Sequence, residues 1–141
     1  YKNGAVGNYW CSQVAIGYDN ALTVCIFGTK GSIEWSQEDP NYLNVVKLGE
    51  PHQRLSRGNN YFYPEAAQMT RLASGHSEGY YEMFANIYLK FTTALLKHKQ
   101  GLTLTEADLD FPDAKAGLNG VKFIHRCVES SKHGSAWVKF D

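Results

Sequence analysis

Fourteen Lys and Arg residues stand against fourteen Asp and Glu, so the chain carries no net charge of either sign. No Lys/Arg cluster makes up for this locally, which excludes a phosphate-backbone surface and hence a nucleic-acid partner. Long apolar runs are also missing. None approaches the roughly 20 residues that a membrane helix requires. The opening Tyr1-Lys2-Asn3-Gly4 lacks the charged-then-apolar order of a secretion signal and reads as a chain cut within a longer one. Cysteine is scarce. Cys11, Cys25 and Cys127 are odd in number and unrelated in spacing, with no C-x-x-C, so neither a zinc site nor a redox pair is indicated. Each falls in a periodic segment, where a thiol is expected to be buried as a small hydrophobe. With no N-glycosylation sequon, the expected compartment is reducing and cytoplasmic.

The usual cofactor and nucleophile signatures are lacking too. There is no G-x-G-x-x-G and no G-x-x-x-x-G-K-[ST]. Gly28-x-x-Gly31 and Gly117-x-x-Gly120 read as turn and helix glycines, not phosphate cradles. No serine-nucleophile elbow is expected, and Glu34 and Glu38 have nothing around them to form a glycosidase pair. The acidic stretch Glu106, Asp108, Asp110 and Asp113 lacks the ligand spacing of a calcium loop and reads as solvated surface. Catalytic, cofactor-binding and metal-binding residues are therefore all expected to be absent.

What is present fills a core. The chain has 141 residues, 43% hydrophobic and 13% aromatic, which fits one domain. Residues 5–17 alternate loosely, with Val6, Trp10, Val14 and Ile16 on one parity, and predict a long strand. Residues 21–27, 32–37, 42–48 and 52–57 predict four more, the last a polar edge. Between the second and third strands, Gly28 and Gly31 are expected to supply the positive φ of a tight hairpin. Pro64–Leu72 fits a short helix or an extended flap. Tyr80, Phe84, Ile87, Tyr88, Phe91 and Leu95 lie on one face of a helix from 80 to 98, expected to be core. A second helix is expected over 113–131, with Asp113 as N-cap and with Gly117 and Gly120 packed closely against a neighbour, then a short strand at 136–140. The class is α+β: an open, mainly antiparallel sheet with helices packed on one face and the other face available for oligomerisation.

The candidate site is the polar turn ahead of the first long helix, Gly75-His76-Ser77-Glu78-Gly79-Tyr80. A histidine near a helix N-terminus suits an oxygen-rich ligand. The competing role is capping, with Ser77 as N-cap and Glu78 and Glu82 in the first turn. Trp35, Gln37, Glu38 and Asn41 form a second polar-aromatic group, which packing and turn chemistry account for.

Three stretches, Gly28-Thr-Lys-Gly-Ser-Ile-Glu-Trp-Ser-Gln-Glu-Asp-Pro-Asn41, Gly75-His-Ser-Glu-Gly-Tyr-Tyr-Glu-Met-Phe-Ala-Asn-Ile-Tyr88 and Gly134-Ser-Ala-Trp-Val138, resemble the C-terminal domain of the glucose–fructose oxidoreductase / inositol dehydrogenase / MocA family. The resemblance runs over essentially the whole chain, with Ala116 a small departure. It implies a dihydrodipicolinate reductase-like C-terminal domain, residues 1–141, of an NAD(P)-dependent dehydrogenase acting on a sugar, polyol or related secondary alcohol. The family's N-terminal Rossmann domain binds NAD or NADP and carries the catalytic Lys of a Glu-Lys-Pro motif. This sequence lacks that motif and the Asp and His that complete the proton-transfer group, so no catalytic residue carries over. The chain alone is expected to be inactive and to bind no cofactor. It would supply part of the substrate pocket, with His76, Glu78 and Tyr80 as substrate-binding residues, and a homodimer or tetramer interface through the sheet face. The alternative is a stand-alone, non-catalytic ligand-binding or dimerisation module.

Overall fold

The computed structural model describes residues 1–140. They resolve into two compact units, Tyr1–Tyr80 and the remainder from Tyr81 on.

The first unit is built on a four-stranded antiparallel meander, β1 (Thr23–Gly28), β2 (Gly31–Ser36), β3 (Tyr42–Lys47) and β4 (Gln53–Ser56), in spatial order β1-β2-β3-β4. Ile26 stands opposite Ile33, Ile33 opposite Val45, and Leu43 opposite Leu55. Because directly paired residues point to the same side, Val24, Ile26, Ile33, Trp35, Leu43, Val45 and Leu55 make one apolar face. Cys25, Ser32, Glu34, Asn44 and Arg54 share the other, mixed face. Here Arg54 lies 4.0 Å over the Tyr42 ring and pairs with Asp39. The alternation in residues 32–37 thus translates directly into the two faces.

The β1–β2 hairpin forms where expected but by different means. Gly28 pairs with Gly31, and neither glycine has a positive φ. Gly31 is needed for space: a Cβ there would come within 2.2 Å of the Val46 carbonyl on the neighbouring strand. In the β2–β3 connection the Trp35 indole donates to the Pro40 carbonyl at 3.1 Å. Gln37 donates to the Asn20 carbonyl, and Glu38 accepts the Asn20 amide. Turn chemistry does account for these three residues.

Two expected strands do not form. Residues 5–17 and 136–140 lie outside any ladder. Alternation at 5–17 supplies a pleated pattern, but a strand also needs a partner edge, and these residues take none. Most of their side chains stay exposed, as does much of the sheet, with Ile26 56% accessible. The three thiols expected to be buried are all exposed and free, Cys25 although it lies in the β1–β2 ladder. A short helix, α1 (Pro64–Ala67), starts on its proline, so residues 64–67 take the helical alternative.

Two long helices follow, α2 (Tyr80–Lys99), which begins at the last residue of the first unit, and α3 (Ala114–Lys132). The C-terminus of α2 closes as a Schellman motif. Leu102 donates to the Lys97 carbonyl and Gly101 to that of His98, with Gly101 at φ +74°. The apolar stripe of α2 is in place, but Phe84 and Ile87 remain nearly half exposed, and Ala94 is the one buried hydrophobic residue among those described. Helix propensity and caps are local and suffice to form the helix. Burying its stripe requires a covering surface.

Between the helices, the acidic stretch is more than solvated surface. Asp108 sits in a single 3-10 turn, Glu106–Leu109, and forms a capping box with Thr105. It also takes an ion pair from Lys97 at 2.5 Å. The Lys97 ammonium, followed by the Thr105 donors, holds the Asp108 carboxyl well below the usual carboxylate range. Asp113 caps α3 as expected, accepting the Ala116 amide at 2.7 Å.

Gly117 and Gly120 were expected to be packed closely, yet a Cβ at either would meet open space. Both lie in the helix interior at ordinary negative φ. Replacing either with alanine is predicted to raise the stability of α3 by about 0.5–1 kcal/mol, seen as a higher thermal midpoint by circular dichroism. A lowered midpoint would show that something fills the space in solution.

Candidate functional site

The polar turn sits on a clasp at the end of the sheet. Arg57 directly follows β4, and its amide donates to the Asn41 carbonyl at 2.9 Å, extending the ladder by one bond. Its guanidinium then reaches across to the 71–78 stretch. Nε donates to Asn41 Oδ1 at 2.8 Å, Nη1 to the Leu72 carbonyl at 2.9 Å and to Glu78 Oε1 at 2.7 Å, and Nη2 to the His76 carbonyl. Glu78 Oε1 also accepts the backbone amides of Arg71 at 2.7 Å and Leu72 at 2.5 Å. The Glu78 amide donates to Asn41 Oδ1 at 3.0 Å. The side chains of Arg57 and Glu78 are 15% and 5% accessible.

Glycine makes the loop geometry possible at two points. Gly75 takes φ +87° in the tight turn where His76 donates back to Ala73. Gly58, next to Arg57, takes φ +80°, and a Cβ there would stand 2.9 Å from the Ser74 amide nitrogen. Asn59 adds a further tie from its amide nitrogen to Ser74 Oγ at 3.1 Å.

The clasp leaves a small hollow of about 100 Å³ lined by Asp39, Asn41, Tyr42, Ser56, Arg57, Gly75, His76 and Ser77. The three residues singled out from the sequence have different settings. His76 is exposed and lines the hollow. Tyr80 is exposed at the first position of α2. Glu78 is buried, with its carboxylate directed into the loop it holds. Ser77 is not an N-cap, because α2 begins three residues later, at Tyr80, and Ser77 lines the hollow instead. Gly75-His76-Ser77-Glu78-Gly79 does match the spelling G-x-S-x-G. A nucleophile elbow, however, puts its serine on a sharp strand-to-helix turn, and here no strand precedes and the helix begins three residues too late.

Reading the sequence did not single out Arg57. It stands in a polar run, His52–Arg57, whose charge suits an edge strand, and its contacts come from residues 15 to 21 positions away. Asn41 was grouped with the wrong partners: Trp35, Gln37 and Glu38 serve the adjoining turns, whereas Asn41 belongs to the clasp. Among the described residues, no three His, Cys, Asp or Glu side chains converge as for a metal ion, and no helix is long and apolar enough to cross a membrane.

The fold and this polar clasp define an α+β domain with an open antiparallel sheet and a hydroxyl- and amide-lined recess. Residues 1–140 match the oxidoreductase family C-terminal alpha/beta domain. The chain belongs to that family, as the C-terminal domain of glucose–fructose oxidoreductase / inositol dehydrogenase / MocA oxidoreductases. It is 41% identical over 141 residues to the uncharacterized oxidoreductase YfiI of Bacillus subtilis, covering 99% of this chain and 36% of that protein. Among solved structures, it resembles an oxidoreductase from Sinorhizobium meliloti, with TM-score 0.85 and 42% identity, over 92% of this chain and 35% of that one. It also resembles an inositol dehydrogenase homolog from Azotobacter vinelandii complexed with NADH and myo-inositol, with TM-score 0.83 and 35% identity, over 92% of this chain and 34% of that one. The chain therefore spans about a third of the length of these relatives.

An uncompensated charge left in a buried pair is expensive. Glu78→Ala strands the Arg57 guanidinium and two loop amides together. It is predicted to lower the unfolding free energy of the Tyr1–Tyr80 unit by about 3–5 kcal/mol, measured by urea denaturation. A loss under about 1 kcal/mol, the range of surface pairs, would mean that the pair is solvated.

Proposed function

We propose that this chain is the substrate-binding and oligomer-forming domain of an NAD(P)-dependent oxidoreductase that acts on a sugar, polyol or related secondary alcohol. The observation that carries the reading is the match, over 92% of the chain, to a homolog whose structure holds NADH and myo-inositol. The hollow supports it. Asp39, Asn41, Ser56, His76 and Ser77 offer donors and acceptors suited to a ligand rich in hydroxyls. His76 and Tyr80 are assigned to substrate contact. Glu78 contributes by holding the turn on which His76 sits.

The nicotinamide would be bound by the part of the parent enzyme that lies outside this chain. The described sheet is an antiparallel meander, without the parallel strand–helix–strand crossover at which dinucleotides dock. Free, exposed Cys11, Cys25 and Cys127 suit a reducing, cytoplasmic setting. The test is a screen of sugars and polyols for nicotinamide reduction by the full-length parent, beside a fluorescence titration of this chain with NADH and NADPH. Turnover of a polyol by the parent and no saturable binding by the chain are expected. Micromolar binding by the chain, or a parent inert to every secondary alcohol tried, would overturn the reading.

The accessible sheet is assigned to the subunit interface. Val24, Ile26 and Ile33 expose apolar surface on one face, and the mixed face is concave around Glu34, Asn44 and Arg54. Such surface is costly to leave in water. Sedimentation velocity of the parent enzyme is expected to show a dimer or tetramer that Ile26→Glu weakens. A monomer across the accessible concentration range would refute the assignment.

A further inference from the structure

We propose that Arg57 is a positioning residue for substrate recognition: through its guanidinium it sets the backbone of the His76–Ser77 turn against the hollow. The proposal rests on the reading above, that His76 meets the substrate.

Four of the guanidinium N–H bonds are directed at protein oxygens, which come from Asn41, Leu72, His76 and Glu78. Two of these acceptors, the carbonyls of Leu72 and His76, stand at the two ends of the loop that includes Gly75. A single planar group therefore spans the loop and fixes how far apart its ends lie. Glu78 closes the same loop from within by accepting the Arg71 and Leu72 amides on the oxygen that Arg57 holds. Asn41 ties both to the start of β3, since its Oδ1 accepts from Arg57 Nε and from the Glu78 amide. The path from sheet to His76 thus runs through part-buried bonds to Asn41 and Glu78 and ends on the more exposed bond to the His76 carbonyl.

Lysine cannot replace this fork. Its ammonium is a compact point charge and does not present donors in the plane that the four acceptors occupy. Arg57→Lys keeps the charge beside Glu78 while releasing the loop. A residue that only stabilised the fold would alter stability and leave the ligand constants alone. A positioning residue shifts the constant for the ligand that meets the turn and spares the one for the ligand that does not.

The experiment uses the full-length parent enzyme with a polyol that it turns over, at a temperature where circular dichroism shows each variant folded. In Arg57→Lys the KM for the polyol is expected to rise on the order of tenfold, the effect of losing a hydrogen bond to a charged group. The KM for the nicotinamide is expected to stay within about twofold of the parent's. Glu78→Gln, which keeps the acceptor oxygen and removes its charge, is expected to move the polyol KM the same way by less. An unchanged polyol KM in a folded Arg57→Lys, or equal shifts in both constants, overturns the proposal. His76→Ala tells the two readings apart. If it leaves the polyol KM untouched, the assignment of His76 to substrate fails, and the positioning role falls with it. If it raises the polyol KM and Arg57→Lys does not, only the positioning role fails.

Discussion

The ion pair between Arg57 and Glu78 is the interaction on which the candidate site depends. In a chain whose apolar side chains are mostly accessible, these two charged groups are among the best-covered atoms. Charges taken out of water destabilise a fold unless each lone pair and proton finds a partner. Here the partners are backbone groups of an irregular loop. That is also what the loop needs, because it has no ladder or helix of its own to satisfy its amides and carbonyls. Satisfying the pair and shaping the loop are one event.

This coupling explains how a precise turn can stand on a sparse scaffold. Sheets position residues through register, and Asn41 and Arg57 flank the paired segments of β3 and β4, where Tyr42 pairs with Ser56. The clasp carries that positional definition from the ladder to His76, across chain segments that lack secondary structure. The hollow that results is small and lined mostly by polar side chains, among them Asp39, Asn41, Ser56, His76 and Ser77.

The contrast between the two polar groups of the sequence is instructive. Trp35, Gln37, Glu38 and Asn41 lie within seven positions, yet the first three serve the turns beside β2 and only Asn41 reaches the site. His76, Ser77 and Glu78 are consecutive, yet two line a hollow and one is buried behind it. Proximity in sequence selects the region, and it does not assign the role. Role depends on which side of the backbone each group leaves and on what the long-range partner offers.

Features whose physics is local were legible from the residues themselves. Strict alternation in 32–37 determined the two faces of β2, the apolar period of 80–95 determined α2, and Asp113 determined the start of α3, because pleat, helical turn and N-cap each involve only near neighbours. The motif from Gly75 to Tyr88 also marked the region of the site and the family. Tertiary structure alone decided that residues 5–17 stay outside the sheet, that Gly31 serves closeness to Val46 and not turn geometry, and that Arg57 holds the turn while Glu78 faces inward. The last two depend on a partner far along the chain and the first on the lack of one, and pairing of that kind leaves no periodicity in the sequence.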